Sequence, residues 1–565
     1  MYFLDAVKQQ IAAELKLDQP RFTYPPDAKL GDLSLACFEM AAAQKKNPAA
    51  LAQELAASLK DRMTLKNHIS DVKAAGPYLN FFVAPEALAA GVIKEIAGQK
   101  AQYGRNRSGA SEKVMIEYSN GNTHKEYHVG HLRNISYGDA VSRLLAASGY
   151  DAIPVSYIND FGIHVAKTIW NWRRDPVYAE RPEPKGYLLG RCYSKASQLL
   201  TDNKDGQAEV GLIMQDIEAR RGENYKTWQE TRQWSIAYFA SIYKELGVSF
   251  VRTFYENEEV AAGLKLVAEL QGKGILKKSQ GAVIADLEQY KLGVLPVIRS
   301  DGTALYPVAD LALASEKFNK YKLDKSIYVV DVRQSLYFKQ LFKILSLIGY
   351  EKPLIHLTYD FVTLPEGMMS SRTGNVITYQ ELRDKILEKL TAETTSRHAD
   401  WSAAKIGATA LALTISSIKF EMIKVGAEKI ITFNIDEALR FDGYTACYVQ
   451  YGYARLQSIR RKQGFRLPFG RPDYSELQIA PEKNLLMKIA RYPEVVAQAA
   501  ASYNPSDLAK YLFELVQMAN DYYHEVNILK AAPATKRARL ALIAAVSRVI
   551  ENGLGLLGIE ALGEM

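Results

Sequence analysis

Residues 113–133 read K-V-M-I-E-Y-S-N-G-N-T-H-K-E-Y-H-V-G-H-L-R. Lys113 to Tyr118 is an apolar run of strand length, and Leu132 to Ser148 repeats with the period of a helix. A strand, a glycine-containing turn and a helix N-terminus together make a seat for phosphate, because the first turn of a helix presents unpaired N–H groups. The chain has eight histidines, and three of them (His124, His128, His131) fall in this turn. Imidazoles at such a place donate hydrogen bonds to phosphate oxygens and stabilise the charge that develops when a phosphate bond breaks. Gly130 lets a nucleotide approach the backbone, where a side chain would collide with it. The plain alternative is a surface turn that happens to hold histidines. His124 has no assigned role and reads as a turn residue.

Working outward, Gly149 ends the helix and a second strand runs from Asp151 to Tyr157. Strand, helix, strand in that order predicts a parallel sheet with its site at the carboxyl ends of the strands. Residues 166–290 are charge-rich helical patterns, broken by R-P-E-P at 181–184, and read as a helical insertion in the sheet domain. Strand-like runs return at Val294–Ile298, Ser326–Val330 and Leu354–Leu357, and from Gln380 the pattern is helical to the end. Upstream, residues 1–105 hold an amphipathic opening helix, a second helix from Asn47 with Pro48 in its first turn, and the β-like run Ala75–Val83. The polar segment 102–112 reads as a linker. At 565 residues the chain is too long for one core, so the expected division is 1–105, 106–385 and 386–565.

Composition bounds the function class. With 48% hydrophobic and 24% charged residues this is an ordinary globular protein, not a disordered or fibrous one. Three scattered cysteines build neither a disulfide framework nor a zinc site, which suits a reducing cytoplasm. The N-terminus lacks the pattern of a signal peptide, and no run reads as an apolar membrane span. A net charge of +8 is a mild bias towards polyanionic partners.

A second chemical segment, Pro365–Asn375, reads P-E-G-M-M-S-S-R-T-G-N and follows an apolar strand run. It is dense in hydroxyl, glycine and cationic groups, with Arg372 placed to neutralise phosphate. Alone it reads equally as a surface loop. Taken together, His128-Val129-Gly130-His131 and Met368-Met369-Ser370-Ser371-Arg372 resemble the two ATP-binding signatures of the class I aminoacyl-tRNA synthetases. The likeness narrows to the arginyl branch. It is carried by residues 116–134, Y-I-N-D-F-G at 157–162, I-R-S-D-G-T-A-L-Y-P-V-A-D at 298–310 and R-Q-S-L-Y-F-K-Q-L at 333–341, then by Y-V-Q-Y-G-Y-A-R-L-Q-S-I at 448–459 and the closing N-G-L-G-L-L-G-I-E-A-L-G-E-M.

The resemblance implies an α/β, Rossmann-like parallel-sheet catalytic domain with a helical insertion, an N-terminal α+β domain that contacts the corner of tRNA, and a C-terminal all-α bundle that binds the anticodon stem and loop. It implies ATP-dependent attachment of L-arginine to tRNA(Arg) through an arginyl-adenylate, with Mg²⁺ accompanying ATP and no metal held by the protein. It further implies a cytoplasmic monomer with no membrane or DNA partner. Lys125, His128, His131 and Arg372 are expected to be catalytic. ATP binding is expected from His128, Gly130, His131, Asn134, Met369, Ser370, Ser371 and Arg372. Arginine binding is expected from Glu117, Ser119, Asn122, His131, Tyr306, Asp310 and Gln334, where carboxylate and amide oxygens suit a planar guanidinium. Tyr78, Asn80, Tyr448, Arg455, Arg460 and Arg461 are expected at the RNA. Three departures stand out. Met368 occupies the place of the second signature's first lysine, for which Lys125 is expected to compensate, while Glu126 and Tyr337 stand where the family often has Pro and His.

Overall fold

A computed structural model describes residues 1–60, 67–178, 180–363, 377–462 and 471–565. Helix α1 (Phe3–Leu15) opens the chain and leads to β1 (Phe22–Thr23), β2 (Leu33–Ala36), α2 (Phe38–Gln44), α3 (Pro48–Leu59), β3 (Ile69–Ala75), β4 (Tyr78–Val83) and α4 (Pro85–Gln99). Asn47 caps α3 by accepting hydrogen bonds from the amides of Ala49 and Ala50, and Pro48 fills a first-turn position where no amide is needed. The four strands form an antiparallel sheet in the order β1-β2-β4-β3.

The central sheet comprises β5 (Lys113–Glu117), β6 (Asp151–Ile158), β7 (Arg252–Tyr255), β11 (Lys325–Asp331) and β12 (Leu354–Tyr359) in the order β12-β11-β5-β6-β7. Every pairing in it is parallel. In the central strand β5, Val114, Met115, Ile116 and Glu117 are all buried, as a parallel strand covered on both faces requires. Helix α5 (Val129–Ala147) crosses from β5 to β6 and is buried on nearly every side. It lies close to β5 because Gly138 has no side chain: a Cβ there would sit 2.3 Å from Cγ of Tyr118. The helix ends before Gly149, whose φ of +84° turns the chain into β6.

The segment after β6 carries α6 (Ile163–Trp172), α7 (Lys185–Leu199), α8 (Lys204–Glu218) and α9 (Gly222–Glu245), a helical group with its own apolar centre around Ile169, Trp170 and Trp228. The expected insertion, 166–290, is therefore without a strand only to 245. Strand β7 within it joins the parallel sheet, α10 (Glu256–Gly272) follows, and β8 (Lys277–Ser279), β9 (Ala282–Asp286) and β10 (Val294–Ile298) form an antiparallel sheet. The four residues of β7 are too few to show a period inside a charged helical region.

From β10 the chain enters α11 (Tyr306–Tyr321), and α12 (Ser335–Leu347) follows β11. Strand β13 (Val362–Thr363) pairs in parallel with β14 (Ile431–Thr432). The remaining helices are α13 (Tyr379–Arg397), α14 (Ala403–Ile423), α15 (Ile435–Ala438), α16 (Ala446–Lys462), α17 (Ala480–Ala490), α18 (Tyr492–Ala501), α19 (Pro505–Glu525) and α20 (Pro533–Leu556).

Three sequence expectations need correction here. The boundary at 385/386 falls inside α13, a continuous capped helix. Segment 102–112 is not a loose linker: the Tyr103 hydroxyl donates to Ile489 O at 3.0 Å, and its ring stacks on Tyr492. Ala403–Ile423 is long and apolar enough to cross a membrane, with a mean hydropathy of 1.4 over 18 of its residues, contrary to the reading that no run is. It is mostly buried, and its apolar face belongs to the core that α5 and α16 share. Cys37, Cys192 and Cys447 are buried thiols.

Candidate active site

Helix α5 begins at His128, and its first turn is closed by histidines rather than by Ser or Asp. Nδ1 of His128 accepts from the Gly130 amide at 3.1 Å, and Nδ1 of His131 accepts from the His128 amide at 3.1 Å. These bonds fix the tautomer: with each Nδ1 accepting, a neutral ring carries its proton on Nε2. Burial, aided by the positive charges of Lys125 and Arg333, pushes the His128 imidazole down to about 4. Burial, with His128 and Lys125 beside it, holds His131 well below its usual range. The rings lie 3.9 Å apart between centroids, and His131 also stacks on Tyr127 at 4.7 Å. Two neutral N–H donors are thus locked at a helix N-terminus. Gly130 is required here for a reason the sequence did not show, since a Cβ would lie 2.9 Å from Cε1 of His128.

Beside this turn is a cavity of about 430 Å³ at the carboxyl ends of β5, β6 and β11. Glu117, Asn122, Lys125, Tyr306, Asp310 and Gln334 line it, gathered from three separate parts of the chain. Tyr306 opens α11 and is 60% exposed at the mouth. Asp310, one turn further on, is half-buried, and desolvation pushes its carboxyl up to about 7 although the Tyr337 hydroxyl donates to it. Tyr337, noted as a departure, thus still supplies a donor. Glu117 is already engaged by the buried ammonium of Lys317. Burial lowers that ammonium, but the charge and hydrogen bond of Glu117, together with Tyr328 and Asp310, raise Lys317 above its ordinary value.

Sequence reasoning missed Lys317, Tyr157, Asn159 and Asn120, which also line the cavity. Lys317 lies on the same face of α11 as Asp310, two turns on, a spacing that could have flagged it. Tyr157 and Asn159 belong to the Y-I-N-D-F-G segment, and Asn120 to the opening stretch.

Two expected contacts point elsewhere. The Ser119 hydroxyl is buried between the hydroxyls of Tyr127 and Tyr243, at 2.9 and 3.0 Å, and does not line the cavity. The Asn134 side chain is a clamp between strand ends: it accepts from the Ser119 amide and donates to Val329 O and the Tyr359 hydroxyl at 2.7 and 3.2 Å. His124 does occupy a turn, with φ of +61°, but it is buried. Its Nε2 lies 2.8 Å from the Thr231 hydroxyl of α9, so it joins the turn to the helical segment. Met368, Met369, Ser370, Ser371 and Arg372 lie outside the described residues.

Of the residues expected at RNA, Tyr78 is 42% exposed and packs edge-on against Phe38. Asn80 shares its face of β4 but is only 3% exposed, because the Gly31 turn covers it, and its Oδ1 has no partner among the described residues. On α16, the Tyr448 hydroxyl accepts from Asn520, and Arg455 donates to Asn520 at 2.9 Å while lying over the ring of Tyr451. Arg460 is exposed and bonds Gln457, whereas Arg461 donates to Gly563 O at 2.8 Å. Arg455, Arg461, Lys462 and Trp401 line a second cavity of about 500 Å³.

Comparison with known proteins covers the whole length. The description "tRNA synthetases class I (R), catalytic domain" matches residues 92–433, the DALR anticodon binding domain matches 449–565, and the arginyl tRNA synthetase N terminal domain matches 2–83. An arginine–tRNA ligase from Bdellovibrio bacteriovorus is 38% identical over 95% of this chain and 93% of its own, and one from Clostridium acetobutylicum is 32% identical over 96% and 95%. The solved arginyl-tRNA synthetase of Thermus thermophilus superposes with a TM-score of 0.82 at 28% identity, covering 99% of both chains. Three matched regions in one order, spread over a fold that agrees from end to end, leave one assignment: the chain belongs to the arginyl-tRNA synthetase family.

Proposed function

We infer that the protein is an arginine–tRNA ligase that activates L-arginine with ATP and transfers it to tRNA(Arg). The observation that carries this reading is the half-buried Asp310 carboxylate, which lines a cavity adjoining a helix start closed by two neutral histidines. The arginine carboxylate attacks the α-phosphorus of ATP, arginyl-adenylate forms and pyrophosphate leaves. A ribose hydroxyl at the tRNA end then takes the arginyl group and AMP leaves. The attacking carboxylate is already ionised, so the first step needs no protein base. Catalysis is positioning together with stabilisation of an in-line phosphoryl transition state.

In this mechanism the Nε2–H groups of His128 and His131 donate to phosphate oxygens, and the N-terminal dipole of α5 adds positive potential there. Lys125, which lines the cavity, supplies the cation for which Met368 has no charge. Asp310 takes the guanidinium, with Tyr306, Gln334 and Asn122 around it. Arg372 and its neighbours complete the phosphate site. Mg²⁺ enters with ATP and is held chiefly by its phosphates.

The division of labour proposed is 1–105 at the tRNA corner, the sheet domain for chemistry and the C-terminal helices at the anticodon, in a cytoplasmic monomer. Tyr78 offers a stacking face, and the cationic end of α16 suits RNA phosphates. Charging of total tRNA tested with each amino acid in turn decides the matter. Arginine alone should be incorporated, and charging with another amino acid, or with none, would overturn the reading. The assay must include tRNA, because by resemblance to the family arginine activation depends on it.

A further inference from the structure

The arginine cavity contains a cation of its own. Lys317 is fully buried, its ammonium is bonded to Glu117, and it lies 4.7 Å from the centroid of the Tyr328 ring. It sits two turns along α11 from Asp310, on the same face of the helix. Both side chains line the same cavity. A buried ammonium takes whatever carboxylate it can reach, because an unpaired buried charge is strongly unfavourable. Two acceptors therefore compete for Lys317: Glu117, which holds it, and Asp310, which a substrate guanidinium requires.

We propose that Lys317 is a positioning residue for arginine selection, a resident cation that Glu117 holds away from Asp310. The Glu117–Lys317 pair keeps the ammonium from Asp310 and leaves that carboxylate available to the guanidinium, with Glu256, whose carboxyl burial and Asp310 push up to about 8, as a second acid nearby. On this view Glu117 serves arginine binding through Lys317. The charged and titratable groups around the ammonium are Glu117 on β5, Asp310 on α11, Tyr328 on β11 and Glu259 on α10. Among the described residues only Glu117 is bonded to it.

The inference rests on the arginine-site reading, and a substitution cycle in the full-length enzyme separates the two. Glu117→Gln alone leaves the ammonium without its partner, Lys317 turns to Asp310, and the KM for arginine rises by about 30-fold or more. Adding Lys317→Met removes both charges of a buried pair, a change that folded proteins tolerate far better than loss of one partner. In the double variant the KM for arginine should return to within about tenfold of wild type, with the KM for ATP unchanged. If Glu117 acts instead as a direct ligand, the double variant stays as impaired as Glu117→Gln, and the proposal is overturned. Should Glu117→Gln fail to fold, the double variant against wild type decides alone: a loss beyond tenfold in arginine KM at unchanged ATP KM overturns it. Wild type run alongside keeps the readings apart, since failure of wild type to charge arginine removes the site assignment rather than the role of Lys317.

Discussion

At His131 the tautomer decides what the side chain can do. Because Nδ1 is occupied by the His128 amide, the ring offers a donor at Nε2, and burial keeps it uncharged. A neutral donor needs no proton from solution, so neither histidine should titrate between pH 6 and 8, and the maximal rate should show no imidazole step in that range. His131→Ala removes a phosphate donor together with an acceptor of the cap. It should lower the rate of adenylate formation by about 10²–10³-fold, the usual cost of one lost transition-state donor. An unchanged single-turnover rate in the presence of tRNA would remove His131 from the chemistry. Asp310 behaves in the opposite sense. Its carboxyl is pushed up to about 7, so it must shed a proton to pair with a guanidinium. The KM for arginine should therefore climb as pH falls from 8 to 6, with proton release on binding near neutrality, while the KM for ATP does not follow. Calorimetry in buffers of different ionisation enthalpy reads that proton directly. Asp310→Ala should raise arginine KM by roughly 30-fold or more; an equal rise in the KM for ATP would show that the residue does not discriminate between the substrates.

Elements set these positions. Helix α11, which carries Tyr306, Asp310 and Lys317, is seated on α10 at Gly263, where an added Cβ would lie 2.1 Å from Val308 O. Backbone cannot swing aside as a side chain can, so Gly263→Ala must widen the crossing and shift the start of α11. Overpacking of this kind costs about 1–3 kcal/mol. The expected result is a lower melting temperature together with a raised arginine KM at unchanged ATP KM, and a normal arginine KM would show that α11 is positioned by other contacts. The same elements show what a sequence displays. The unit β5–α5 was legible because its strand is apolar on both faces and its helix start and stop carry their own signals. Asp310 and Tyr306 were legible as one face of a helix. The Glu117–Lys317 pair was not, because its members lie 200 positions apart and only the fold brings them together. Ser119 and Asn134 were read as ligands because they stand within the motif, but motif membership does not say which way a side chain points. Both turn inward, to tyrosine hydroxyls and strand ends.

At the scale of the whole molecule, the sheet and the C-terminal helices meet on a buried charge. Lys419 of α14 is fully buried and donates to Asp139 of α5 at 3.0 Å, to Leu246 O beyond α9 at 3.0 Å and to Gly558 O after α20 at 2.8 Å. One ammonium thus ties the helix that starts at His128 to the helical segment and to the chain end. Residue 558 must be glycine for this geometry: its φ is +69°, and a Cβ would stand 2.4 Å from Asp139 Oδ2 and 2.5 Å from Lys419 Nζ. The burial that makes such a joint selective also makes it fragile. Without the lysine, two carbonyls lose their donor and Asp139, still enclosed, keeps only Arg143, whose Nε bonds both its oxygens at 3.0 Å; loss of such a charged donor costs about 1.5–3 kcal/mol. Lys419→Met should show that loss in urea unfolding followed by tryptophan fluorescence, and Lys419→Met with Asp139→Asn should recover part of it, since the enclosed charges are then gone while the half-exposed Arg143 loses its partner. Amide exchange should report where the loss is felt, with protection falling first at the end of α20 and in the middle of α5 and later in the N-terminal sheet. A variant within about 1 kcal/mol of wild type would mean that apolar packing of α14, rather than this charge, holds the two halves together.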